Sequence, residues 1–163
     1  MRNLIFVALI SLIPIISFSQ IYFNDNVTKY HRDDDISRDS VIELFFDKLN
    51  AQRIENGSDS IMHIEYMDTT ARNHSLKMVK SDSVYHTDLR GRFGYNVECV
   101  QVIEAIWYQN ANFLADYILT KWSWDVDHLR ALNLKNCYAG LDFAINKQDQ
   151  KIYITYNAIC LGN

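Results

Sequence analysis

The chain has 163 residues, of which 48% are hydrophobic and 22% are charged, and its formal net charge is −4 at pH 7. This length and apolar content fit one folded domain, and one proline with five glycines is not typical of a disordered chain. The acidic balance argues against nucleic acid as a partner.

The first residues are predicted to be a cleavable signal peptide. Arg2 supplies the positive charge before Leu4–Ile16, an apolar run that is shorter than the about 20 residues of a membrane-spanning helix. Small residues at Ser17 and Ser19 indicate cleavage before Gln20. We therefore expect a secreted, extracytoplasmic product with no membrane span.

Three segments are predicted along the chain. Residues 1–19 are the signal peptide, residues 20–39 are a polar lead-in segment, and residues 40–163 are the folded domain. The run Asp33–Asp35 in the lead-in segment could bind a cation, but such runs more often lie in solvent. We therefore expect function to reside in the folded domain.

Helical spacing of apolar residues dominates the first part of this domain. Ser40 and Glu43 match a capping box and predict a first helix, which ends at Asn56 and Gly57. A second helix is predicted over Tyr66–Lys80.

A third helix is predicted to begin at Asn110, and a short helical turn is expected over Asp127–Leu132. The buried stripe of the third helix is predicted to consist of Phe113, Leu114, Tyr117, Ile118 and Trp122.

The last part of the sequence is predicted to form a β-hairpin. Tyr138–Ile145 and Ile152–Ile159 are rich in apolar and aromatic residues, and the polar stretch Asn146–Lys151 joins them. The predicted helices precede the predicted strands along the chain, and this order indicates the α+β class.

The three cysteines lie in the predicted mature chain. If the hairpin turns near Gln148 and Asp149, Cys137 faces Cys160, so a cross-strand disulfide between them is predicted. Cys99 would then be the unpaired thiol.

Short catalytic or metal motifs are absent from the sequence: none of the five histidines belongs to an HExxH pattern, and no GxSxG elbow or phosphate loop occurs. His128 follows Asp125 and Asp127, and a nearby acid could orient its imidazole or share a cation with it. A surface role for His128 is the simpler interpretation. Because the sequence has no short motif, a site could form only from residues that the fold brings together.

Four segments of the chain carry short motifs in a fixed order. Ala71–Met78 has the pattern Ala-x-x-His-Ser-x-x-Met, and Val84–Thr87 ends in His-Thr. Gly94–Glu98 ends in a glutamate, and Trp122 stands six residues before His128. In this order the segments resemble the CAP superfamily, which comprises the cysteine-rich secretory, antigen 5 and pathogenesis-related 1 proteins.

The resemblance implies a CAP-type α-β-α sandwich, with an antiparallel sheet between helices and a central cleft lined by His86, Glu98, Asp125 and His128. Two imidazoles and two carboxylates suit a divalent cation such as Zn²⁺, with His86 and His128 as candidate ligands. A hydrogen-bonded polar network without metal is the alternative. His74 is interpreted as a packing or surface residue.

The function favoured by this resemblance is that of a non-catalytic binding module for an extracellular protein, lipid or glycan. The alternatives are a Zn²⁺-dependent hydrolase or protease, with Glu98 as a ligand or general base, and a purely structural extracellular domain. Asp125 is one methylene shorter than the glutamate of many family members, which argues against catalysis because small displacements matter there.

Overall fold

The computed structural model describes residues 37–87, 95–104 and 110–161. The predicted signal peptide, its cleavage site and the Asp33–Asp35 run lie outside these residues. Within them, the elements follow in the order α1 (Arg38–Glu55), β1 (Met62–His63), α2 (Glu65–Ser81), β2 (Tyr95–Glu104), α3 (Ala111–Trp124), α4 (Val126–Leu132), β3 (Cys137–Asn146) and β4 (Lys151–Cys160).

Helix α1 begins earlier than its sequence pattern suggested. Ser37 is the N-cap, and its side chain accepts a hydrogen bond from the Ser40 backbone N–H at 3.2 Å. The capping box predicted at Ser40 is therefore wrong. The helix is already capped by Ser37, whose hydroxyl satisfies the Ser40 backbone N–H. The end was predicted correctly, since Asn56 is the C-cap and Gly57 follows with a φ of 73°.

The bounds of the other predicted helices are confirmed to within one or two residues. In α3, however, Phe113 and Tyr117 of the predicted stripe are only partly buried, and Ala115 and Leu119 are buried instead. Helix α2 buries Met67, Ala71, Ser75 and Met78, which are the residues that repeat at helical spacing. The Asn110 side chain caps α3 by accepting from the Phe113 backbone N–H at 2.9 Å. No helix among the described residues is long and apolar enough to cross a membrane.

The described strands form one four-stranded sheet in the order β1-β3-β4-β2. The pairs β3–β4 and β2–β4 are antiparallel, whereas β1 runs parallel to β3. The sheet is therefore mixed, and the expected purely antiparallel sheet is corrected. The expected order of helices first and strands last is also wrong, because β1 and β2 precede α3 in the chain.

Helices cover both faces of this sheet. On one face, the Tyr156 ring lies 6.0 Å from the Phe45 ring of α1 and 6.2 Å from the Trp122 ring of α3. The next residue, Asn157, lies 3.3 Å from Thr70 of α2 between their side-chain atoms. Because successive side chains of a strand point to opposite faces, α1 and α3 lie on one face and α2 on the other.

Helix α2 approaches the sheet closely at Gly140. A Cβ atom built on Gly140 would lie 2.3 Å from the backbone nitrogen of Asp68. Glycine at this position therefore allows the α2 backbone to contact β3 directly.

The hairpin has the predicted register. Cys137 is paired with Cys160 across β3 and β4, and the two residues form a disulfide with Cα atoms 4.0 Å apart. The Cys99 thiol is free and fully buried, and burial raises its pKa far above the ordinary value of 9.0. The predicted disulfide is confirmed, and Cys99 is the cysteine outside it.

One edge of β3, its outer edge, pairs with β1 only over two residues. Farther along this edge, backbone groups of β3 form hydrogen bonds with side chains instead. Asp68 accepts from the Leu141 backbone N–H at 2.9 Å, and the Asp142 carboxylate accepts from the Phe143 N–H at 2.6 Å. The Arg72 guanidinium donates to the Phe143 carbonyl. These bonds satisfy backbone groups that a further strand would otherwise pair with.

Candidate functional site

Glu98 is the centre of a polar cluster on the α2 face of β2. Its side chain is 3% exposed, and it accepts hydrogen bonds from the backbone N–H and the hydroxyl of Thr87, each at 2.8 Å. His86 Nδ1 lies 3.3 Å from Oε2, and His74 Nδ1 lies 2.8 Å from Oε1. We name Glu98, Thr87, His86 and His74 the Glu98 cluster.

His74 was not expected at this site. Its side chain is 3% exposed, and the Tyr85 ring packs against it edge-on with centroids 5.1 Å apart. The interpretation as a packing residue is correct in part, but it missed the contact with Glu98. The signal in the sequence was a pair of polar residues, His74 and Ser75, on the side of α2 that carries Ala71.

The contact between His74 and Glu98 is close but poorly aligned, because neither His74 ring nitrogen makes a hydrogen bond of good geometry. The Glu98 carboxylate still benefits from its neighbours. Burial acts to raise its pKa, but the contact with His74 and the two bonds from Thr87 outweigh burial, so the pKa of Glu98 is lower than the ordinary 4.5. Glu98 is therefore a buried, ionised acceptor.

Asp125 and His128 form a second pair at the junction of α3 and α4. Asp125 is the N-cap of α4, and its Oδ1 accepts from the backbone N–H groups of Asp127 at 3.0 Å and His128 at 2.9 Å. The same oxygen lies 3.4 Å from His128 Nδ1. The His128 ring lies beside the buried Trp122 ring, with ring centroids 6.1 Å apart.

The environment of His128 shifts its titration. Burial lowers the pKa of His128, and the charge of His86 lowers it further, although Asp125 acts in the opposite direction.

Arg53 holds the far end of α4. Its buried guanidinium donates to the carbonyl of Leu132, at the last residue of α4, and to the carbonyls of Asp59 and Leu134, each at 2.8 Å. Three carbonyl acceptors offset the cost of burying this cation. The short helix that carries His128 is therefore anchored at both ends.

The four predicted cleft residues thus occur as two pairs, His86 with Glu98 and Asp125 with His128. Within residues 37–87, 95–104 and 110–161, no group of three or more His, Cys, Asp or Glu side chains is placed to hold a metal ion. Both carboxylates already accept hydrogen bonds from protein donors. The described geometry does not fit a four-ligand zinc site, and Zn²⁺ binding by the two histidines stays a prediction.

The sequence has no match among protein-family models, and no curated protein is significantly similar to it. Among solved structures, the fold is similar to that of an outer surface protein from Borrelia burgdorferi, with a TM-score of 0.61 and 12% identity. That match covers 77% of this chain and 96% of the other.

A second similar structure is an extracellular protein containing an SCP domain from Bacillus anthracis str. Ames, with a TM-score of 0.53 and 17% identity. The match covers 76% of this chain but 41% of that longer chain. SCP is another name for the CAP domain, and this likeness agrees with the α+β class of the fold. At these identities the likeness concerns the fold alone.

A pocket of about 360 Å³ lies elsewhere, at the end of the sheet beside the disulfide. None of the four predicted cleft residues lines it. Its lining residues are Asp59, Ser60, Met62, Asn136, Cys137, Tyr138 and Leu161.

Proposed function

We propose that this chain is a secreted CAP-like domain that acts as a non-catalytic binding module, with His86 and His128 at the binding surface of a cleft. Its partner is an extracellular protein, lipid or glycan. The predicted signal peptide supports export. The likeness of the fold to an outer surface protein and to an extracellular SCP-domain protein is consistent with it.

The observation that carries the proposal is the environment of Glu98. A general base must reach the proton that it abstracts, either directly or through one water. Glu98 is 3% exposed, and both of its oxygens already accept hydrogen bonds from Thr87, with a nitrogen of His86 and a nitrogen of His74 close by. This arrangement supports a structural role for the carboxylate in a binding site rather than a catalytic one.

The exposed group of the cluster is His86, whose side chain is 60% exposed, and His128 is 25% exposed. Asp125 is occupied as a helix cap, so it too is less available for chemistry than its charge suggests. A partner would therefore meet the two imidazoles together with the Asp125 carboxylate, whose side chain is 55% exposed.

The test is a binding assay on protein purified after export of the full chain. Probes are a glycan array, vesicles of phosphatidylglycerol and phosphatidylethanolamine, and purified surface proteins, each with EDTA present. We expect saturable binding to one probe class that the His86→Ala/His128→Ala double variant loses. The matched control, Glu55→Ala at the exposed end of α1, should bind like the parent.

Two outcomes would overturn the proposal. Hydrolysis of casein or a peptide library that stops on chelation would establish a metal-dependent hydrolase instead. Equal behaviour of the parent and the double variant in every binding assay would indicate a structural domain.

A further inference from the structure

We infer that Glu98 is a buried anchor that determines which nitrogen of His86 faces a partner, and that His74 and Asn157 are positioning residues for Glu98. The inference rests on the proposed function, because it names the atom that His86 offers and therefore the chemistry of the ligand. The arrangement presents the His86 Nε2 lone pair, so the ligand supplies a hydroxyl or amide N–H donor.

The first step concerns the His86 ring. Its Nδ1 lies 3.3 Å from Glu98 Oε2. An ionised carboxylate only accepts hydrogen bonds, so in the neutral imidazole the proton resides on Nδ1. Nε2 then carries the lone pair and is the ring nitrogen left for a ligand.

The second step concerns the backbone next to His86. Glu98 accepts from both the N–H and the hydroxyl of Thr87, each at 2.8 Å. One buried side chain therefore holds the ring and the adjacent backbone together, so His86 is placed by β2 rather than by its own exposed segment.

The third step concerns what holds Glu98. Asn157 stands directly opposite Glu98 in the β2–β4 register. In the amide orientation that satisfies both of its polar atoms, Asn157 donates to Glu98 Oε1 at 3.2 Å. His74 Nδ1 approaches the same oxygen from α2 at 2.8 Å. Contacts from β4 and α2 thus orient the carboxylate so that Oε2 points at His86.

The polarity of this site selects among ligands. A hydroxyl or an amide N–H can donate to the Nε2 lone pair, whereas a carboxylate or phosphate would bring a second acceptor against it. In its Nδ1–H form, His86 is therefore expected to favour a hydroxyl or amide N–H donor over an anion.

The experiment is long-range ¹H–¹⁵N correlation NMR of the histidine rings at pH 8, on protein purified after export of the full chain. A hydrogen bond to an ionised group changes such an equilibrium by about tenfold or more, so we expect a clear excess of the Nδ1–H form at His86. In Glu98→Gln this excess should fall, because an amide cannot accept every donor of the cluster. In His74→Phe, which keeps an aromatic ring but removes both ring nitrogens, it should fall partly.

The matched control is Glu104→Gln, the same change at an exposed position of β2, which should leave the His86 spectrum unchanged. A parent His86 that carries its proton on Nε2 overturns the inference, as does a Glu98→Gln variant with a parental spectrum. If Glu98→Gln fails to fold, as judged by the Trp122 indole signal, the parent spectrum alone decides. The NMR experiment needs no binding partner. The inference on His86 and the proposed binding function can therefore fail independently.

Discussion

Arg38 in the first turn of α1 forms a two-bond ion pair with Asp142 at the centre of β3. The distances are 3.0 Å from Nε to Oδ1 and 2.5 Å from Nη2 to Oδ2. The Asp142 side chain is fully buried, and Arg72 approaches it to 3.8 Å. The start of the helical layer is thereby attached to the sheet through a carboxylate that has no access to water.

Removing Arg38 should destabilise the fold. Arg38→Ala leaves the buried carboxylate with the Phe143 N–H and the more distant Arg72, and we expect a loss of about 1–3 kcal/mol in the free energy of unfolding. Urea denaturation measures this loss. The control is Arg130→Ala, which removes an exposed pair with Asp127 and should change stability by less than about 0.5 kcal/mol. Equal losses in the two variants would contradict the importance of the buried pair.

Gly140→Ala should be among the most damaging small substitutions. The added Cβ would lie 2.3 Å from backbone atoms of both Met67 and Asp68, so α2 must move away from β3. We expect a loss of about 3 kcal/mol or more in unfolding free energy. Gly57→Ala is the comparison, because its surroundings are open and only its φ of +73° is unfavourable, at about 1–2 kcal/mol. A smaller effect at Gly140 than at Gly57 would refute the close approach.

The disulfide should stabilise the hairpin end of the sheet. Replacing both Cys137 and Cys160 with alanine opens a loop with a sequence separation of 23 residues, which should cost about 2–4 kcal/mol. Thermal unfolding with and without a reductant provides the measurement. The reductant should lower the melting temperature of the parent and leave the double variant unchanged. A parent that is insensitive to full reduction would show that the bridge contributes little.

Asp82 should titrate below its ordinary range. Its carboxylate accepts from Lys151 at 2.8 Å and from the Tyr153 hydroxyl, and these bonds lower its pKa below 3.8. Its contribution to stability is therefore present above pH 3.8 and is lost as the pH falls through the lower folded-state pKa. NMR titration should show the pKa rising towards the ordinary value in Lys151→Met but not in the control Lys135→Met. An unshifted Asp82 in the parent would contradict the contact.

The helices and the hairpin could be predicted from the sequence because their patterns are local. The apolar residues of α2 recur at helical spacing, and the polar turn between β3 and β4 fixes the pairing of Cys137 with Cys160. Strand β2 lacked such a pattern. Cys99 and Val100 are adjacent and both buried, because both faces of the sheet are covered there, so the strand does not alternate between apolar and polar residues.

Only those candidate site residues that belong to a sequence motif could be predicted. His86 and Glu98 are in contact in the structure, and their role as site residues stays a prediction. The contact of Glu98 with His74 depends on the pairing of β2 with β4 and on the packing of α2 across that pair. These contacts join residues that are far apart in the sequence, so the spacing of residues within one segment does not predict them.

The bonded outer edge of β3 bears on how this protein behaves at high concentration. An open strand edge is a template on which another chain can add a strand, and this addition is a route to aggregation. The Leu141 N–H is already bonded to Asp68, and the Phe143 N–H and carbonyl are bonded to Asp142 and Arg72. The same carboxylates and guanidinium that attach the helices to the sheet therefore also protect this edge from self-association.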